Sequence, residues 1–258
     1  MDDFAAKFYE YTYFGTTFER SHRLGQSEIE SVGMRAYRDF SRTLRFKEGT
    51  DAPYKWRKSH RWFFAAGISM EELAVGVNCL LECKSVEEFD FAHRRCCSQI
   101  LDVANGPQYD FLLKEKLTYG QVQKWLNMTM KYLLILGYVP NRIKGFLHVP
   151  IDDYILEAVW STNHGDASIK AYLQSLVANP EKLPFATRKG TTYASAKIPK
   201  WSKWKADGRD FDLRWECKAY NDFQTGIRQA LKGSKISPIQ WEMDAWIAIA
   251  NKRAVLKD

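Results

Sequence analysis

The chain is expected to be all-α, on three observations. Successive segments open with helix-capping patterns, proline and glycine interrupt the chain between them, and no long apolar/polar alternation appears before residue 180. Ser27-Glu28-Ile29-Glu30 has the Ser-x-x-Glu form of a capping box and leads an apolar-periodic stretch to Phe46. Ser69 to Glu72 repeats the device before "LAVGVNCLLEC", and Ser85 to Glu88 repeats it before "FDFAHRRCCSQILDV". Asn105-Gly106-Pro107 and Val139-Pro140-Asn141 are breaks, and a helix from Thr118 to Leu136 is expected between them. Asp152 stands at an N-cap position ahead of "DYILEAV", because Pro150 keeps Val149 extended. Asp166 is expected to open a helix through Val177, ended by Asn179-Pro180. In Ser237-Pro238-Ile239-Gln240 the proline takes the first helical position, where its missing N–H costs nothing. The basic, tryptophan-containing stretch 183–213 reads either as an irregular loop or as a short hairpin around "TTYASAKI".

No repeat, low-complexity tract or long linker divides the chain, so residues 1–258 are expected to form a single globular unit. Its 258 residues suffice for a sizeable core, and 45% hydrophobic content excludes a disordered chain. No run reaches the roughly 18 apolar residues of a membrane span. The opening "MDDFAAKFYE" lacks a secretory apolar region. A cytoplasmic protein without membrane contact, acting as a monomer, is the expectation. The net charge of +7 suits a polyanionic partner without requiring one. Five cysteines, an odd number, point to reduced thiols. Cys79, Cys83, His93 and Cys96 resemble a zinc set only loosely. Cys79 and Cys83 share a helix face, whereas knuckles use C-x-x-C, so core thiols are preferred and neither metal nor cofactor is expected.

On a helical wheel, Val122, Trp125, Leu126, Thr129, Leu133 and Leu136 form the core face of the 118–136 helix. Lys124, Asn127, Met128 and Lys131 form the opposite stripe. Periodicity alone makes that stripe a solvated face. Asp152 offers a second reading, because an N-capping carboxylate is also able to face a neighbouring cleft, where the helix dipole favours its charge. A lysine and such an aspartate on consecutive helices make a possible catalytic couple.

The segments "QKWLNMTMKYL" and "VPIDDYIL" together resemble the catalytic core of the helix-hairpin-helix DNA glycosylase superfamily, most closely its archaeal 8-oxoguanine branch. A third segment, "SPIQWEMDAWIAI", is similar to that branch's C-terminal base-pocket helix. The three segments cover about a quarter of the chain, and the first hundred residues do not align. The resemblance implies a two-lobed helical fold with a cleft, its catalytic helices within 117–160 and its pocket helix at 237–251. It places Lys124 on the Schiff-base lysine and Asp152 on the catalytic aspartate. Glu242 and Trp246 fall on the base-contacting acid and tryptophan, and Asn127, beside Lys124 on its stripe, is counted with them.

The activity so implied is excision of a damaged or modified base from double-stranded DNA, for repair or for defence against modified phage DNA. The nucleotide is flipped out and attacked at C1′, with or without a following AP-lyase step. Backbone groups at Gly120 and Gln121 would meet a phosphate, with Lys131 as a further basic contact. Two basic–aromatic clusters are the remaining candidates for DNA. One is "YKWRKSHRW", Tyr54 to Trp62. The other runs from Arg188 to Lys205 and includes Arg188, Lys189, Lys200 and Lys203 beside Trp201 and Trp204. A non-catalytic basic helical module that binds nucleic acid is the alternative. A helical protein-interaction module ranks behind it.

Overall fold

The computed structural model describes residues 3–18, 24–47, 70–107, 110, 113–160, 185–186, 198–199, 201–206 and 217–255. Among them are eight α-helices: α1 (Asp3–Phe14), α2 (Gln26–Ser41), α3 (Met70–Glu82), α4 (Val86–Ala104), α5 (Tyr119–Ile135), α6 (Asp153–Trp160), α7 (Lys218–Ala230) and α8 (Pro238–Val255). Short 3-10 turns occupy Asn141–Ile143 and Trp201–Lys203. Among the described residues the fold is all-α apart from an isolated bridge between Phe46 and Leu113 and one antiparallel ladder of two-residue strands, β1 (Phe185–Ala186) and β2 (Ile198–Pro199). That ladder lies within the stretch 183–213, for which a loop or hairpin is expected. Among the described residues no helix is long and apolar enough to cross a membrane.

The expected caps form where the cue is local. Ser85 accepts from the Glu88 N–H, Ser237 from the Gln240 N–H, and Asp152 Oδ1 from those of Tyr154 and Ile155. Each satisfies a donor that the first helical turn leaves unpaired. The Ser27 box does not form. α2 begins two residues earlier, with Gly25 as its cap, and Ser27 donates instead to Glu28. The expected Ser69 cap and the Asp166 helix lie outside the described residues.

Helix α5 is the centre of the molecule. Thr118 and Gln121 close a reciprocal capping box at its start. Leu136 caps its end, and Gly137 follows at φ +86, a conformation that glycine adopts without Cβ strain. Trp125 is the anchor to α2: its indole donates to the Gly33 carbonyl at 2.8 Å and packs among Tyr37 and Phe40. Every residue assigned to the core face is buried.

The opposite stripe departs from its solvated reading. Lys124 and Asn127 are buried, and Met128 packs against the core. A helix covered on all sides lies inside a protein, and its polar residues must then find partners. The partners come from the turn before α6, from α7, from α8 and from the 3-10 turn at Trp201, all distant in sequence.

Candidate active site

Lys124 and Asp152 meet. Nζ lies 2.9 Å from Oδ2, with the lysine side chain 3% exposed and the aspartate 13%. The two aspartate oxygens have separate partners. Oδ1 caps α6 through the Tyr154 and Ile155 N–H groups, at 2.9 and 3.1 Å, so Oδ2 is held towards the amine. The Lys124 ammonium also lies over the Trp201 ring, 4.8 Å from its centre.

Helix α8 contributes a second buried pair. Glu242 Oε2 is 2.6 Å from Lys131 Nζ, and the glutamate is almost fully buried. Burial pushes the Glu242 carboxyl up to about 7; the Lys131 cation opposes this, the Asp152 charge adds to it, and Lys124 opposes it weakly. Electrostatic influence of Lys124 and Asp152 on Glu242 places the two pairs in one charged cluster. Trp246, one turn further along α8, is 38% exposed and stacks on Tyr154 of α6, with ring centres 4.9 Å apart.

A buried polar network underlies the couple. Gln123 donates to the Ile151 carbonyl and Asn127 to the Val149 carbonyl, each at 3.2 Å. Gln224 of α7 grips Val149 from the other side, donating to its carbonyl and accepting its N–H, both at 2.9 Å. These bonds fix the Val149–Ile151 turn against α5, and the turn sets where Asp152 begins α6. Deeper in, Asn127 Oδ1 meets His93 Nε2 at 2.7 Å, and the Tyr220 hydroxyl reaches both His93 and His148. His148 continues to Asp90, which pairs with Arg228. Burial pushes both histidines below their ordinary range, strongly for His93, while Asp90, held by His148 and Arg228, titrates below the usual carboxylate range. The histidines are therefore neutral at pH 7.

The expected site residues divide into three groups. Lys124, Asp152, Lys131 and Glu242 converge, and Trp246 stands at the exposed side of the same two helices. Asn127 is spent on the network, with 1% of its surface exposed. Gly120 and Gln121, expected at a phosphate, lie inside the fold. The Gly120 N–H donates to the Trp204 carbonyl at 3.0 Å, the Gln121 backbone N–H donates to the Thr118 hydroxyl at 3.3 Å, and the Gln121 side-chain amide donates to the Thr43 carbonyl at 3.1 Å. Lys131 faces Glu242 and not a surface. Trp201 and Trp204 are buried against the start of α5. Arg188, Lys189, Lys200 and the 54–62 cluster lie outside the described residues, as does the side chain of Lys203.

Gln123, Tyr154, Trp201, Tyr220 and Gln224 were not singled out for this site from the sequence. For Gln123 a signal existed: Gln123 and Asn127 stand one turn apart on an otherwise apolar helix, a spacing that suits two amides gripping one strand of backbone. No protein-family model matches the chain, and no curated protein or solved structure matches it.

Proposed function

We propose that the protein is a DNA glycosylase that excises a damaged or modified base from duplex DNA, with Lys124 as nucleophile, in a cleft between two helical lobes. The observation that carries this reading is the Lys124–Asp152 contact: a buried amine held 2.9 Å from a carboxylate whose other oxygen is tied to the start of a helix. A surface ion pair needs no such support, and a buried one is weak evidence for stability alone. The same geometry suits proton transfer, because one oxygen stays anchored while the other takes the amine proton.

The steps follow from those positions. The target nucleotide leaves the stack, since its C1′ is out of reach inside a duplex. Lys124 passes a proton to Asp152, and its freed lone pair attacks C1′. The glycosidic C1′–N bond breaks, its electron pair leaves with the base, and the base takes up a proton. The new C1′–N bond loses its extra proton to solvent. The C1′–O4′ bond then opens with protonation of O4′ and leaves an iminium. That iminium acidifies the C2′ proton, and its removal expels the 3′ phosphate. Asp152, returned to the carboxylate when it gives its proton to the departing base, then offsets the positive charge of the iminium. Glu242 accepts from an N–H of the base, and the exposed Trp246 supplies an aromatic wall. The net charge of +7 favours the DNA partner.

The test is release of free base from a panel of duplexes carrying oxidised purines and modified pyrimidines. Wild-type protein is expected to release one class. Asp152→Asn keeps a side-chain oxygen for the cap but loses the proton acceptor, and is expected to slow release by about 10²-fold or more. DNA binding without release from any duplex, unchanged in Lys124→Ala, would support the non-catalytic module instead.

A further inference from the structure

Trp201 touches the nitrogen on which the proposed chemistry turns. Lys124 Nζ sits over the face of its indole, 4.8 Å from the ring centre, and the tryptophan is itself buried. The indole is not a loosely placed side chain, because its turn is clamped to the first turn of α5. The Gly120 N–H donates to the Trp204 carbonyl and the Thr118 hydroxyl to the Ser202 carbonyl, each at 3.0 Å. The Trp201 carbonyl comes so close to Gly120 that a Cβ there would lie 1.9 Å from it. Glycine at this position thus allows the contact, and the clamp sits one helical turn ahead of Lys124.

An indole face carries negative quadrupole density and attracts cations, most strongly where water is excluded. Two cations occupy the place of Nζ in turn: the resting ammonium and the iminium formed with C1′. The neutral amine gains far less from the ring. Asp152 is the more exposed of the couple, 13% against 3%. We propose that Trp201 is a catalytic residue of this site, which stabilises the cationic iminium between Lys124 and the sugar by a cation–π contact. The proposal rests on Lys124 being the nucleophile.

A duplex with a preformed abasic site tests this without base excision. The Lys124 amine adds to the C1′ aldehyde, the carbonyl oxygen leaves as water, and hydride from borohydride adds to C1′ to fix the bond. At alkaline pH, where the free amine is neutral, Trp201→Leu is expected to lower the trapped adduct about tenfold and Trp201→Phe to lower it less, in line with the weaker face of a benzene ring. The acidic limb of trapping should also move to lower pH in Trp201→Leu, because the ammonium loses its support. Gly120→Ala, which displaces the turn, should change trapping in the direction of Trp201→Leu. Replacing all tryptophans by fluorotryptophans of rising fluorine content keeps the shape and weakens the faces. Trapping should fall stepwise in the wild-type chain and stay level in Trp201→Phe. Wild-type trapping that fluorination leaves unchanged, or a folded Trp201→Leu with unaltered yield and pH profile, overturns the role of Trp201 alone. No adduct with the wild-type chain overturns it together with the nucleophile.

Discussion

Burial pushes the Glu242 carboxyl up to about 7, although the Lys131 ammonium stands 2.6 Å away. Below pH 7 Glu242 is mostly the neutral acid, and above it the carboxylate. If it accepts a hydrogen bond from the base, recognition strengthens as pH rises through about 7. Substrate affinity measured from pH 6 to pH 8 should therefore show a rising step in the wild type and none in Glu242→Gln, which accepts at every pH. The same step in the variant would assign the titration to another group.

At the scale of an element, α5 shows how far local pattern reaches. Its apolar face was legible because burial of Val122, Trp125, Leu126, Thr129 and Leu133 follows the helical period directly. The caps at Ser85, Asp152 and Ser237 were legible because donor and acceptor are two or three residues apart. The fate of the lysine stripe was not legible. Its cover comes from His93, Val149, Trp201, Tyr220 and Glu242, and no periodicity within 118–136 records residues that arrive from elsewhere. Gly120 has the same history: its N–H was expected at a phosphate, but the Trp204 carbonyl claims it. The Lys124–Asp152 pairing was expected only through a resemblance, since composition and period alone favoured a surface lysine and an ordinary cap. The network that seats this couple should be costly to break. Asn127→Leu takes one hydrogen bond from each of His93, Gln123, Tyr220 and the Val149 carbonyl, at about 0.5–1.5 kcal/mol for each bond lost. A fall in stability of about 3 kcal/mol or more is expected in urea denaturation. A loss below about 1 kcal/mol would mean that the amide is dispensable to the packing around Asp152.

For the whole molecule, buried ionisable groups set the response to pH. His93 and His148 titrate below 6.5 in the folded chain, so below that pH the unfolded chain binds protons that the folded one refuses. Their contribution is present above 6.5 and lost as pH falls. Glu242 works in the opposite sense. Between 4.5 and about 7 the folded chain holds a proton that the unfolded chain releases, so this group favours folding as pH falls. Each fully active group is worth about 1.4 kcal/mol per pH unit. His93 and Glu242 oppose one another and His148 adds to the side of His93, so stability should decline from pH 6.5 towards pH 5. Replacing His93 by Gln should remove about one proton's share of that slope, as read from denaturation midpoints across the range. An unchanged slope would show that His93 carries its proton in the folded chain.

The charged cluster joins α5, α6 and α8 with residues from the middle of the sequence and from its C-terminal part, and its proposed chemistry has one covalent signature. Wild-type protein is mixed with a duplex bearing an excisable base, borohydride is added, and the adduct is digested and mapped by mass spectrometry. The reduced sugar is predicted on Lys124, and Lys124→Gln is predicted to give no adduct while still binding the duplex. An adduct that maps to another amine, or persists undiminished in Lys124→Gln, would contradict the assignment of Lys124 as the nucleophile.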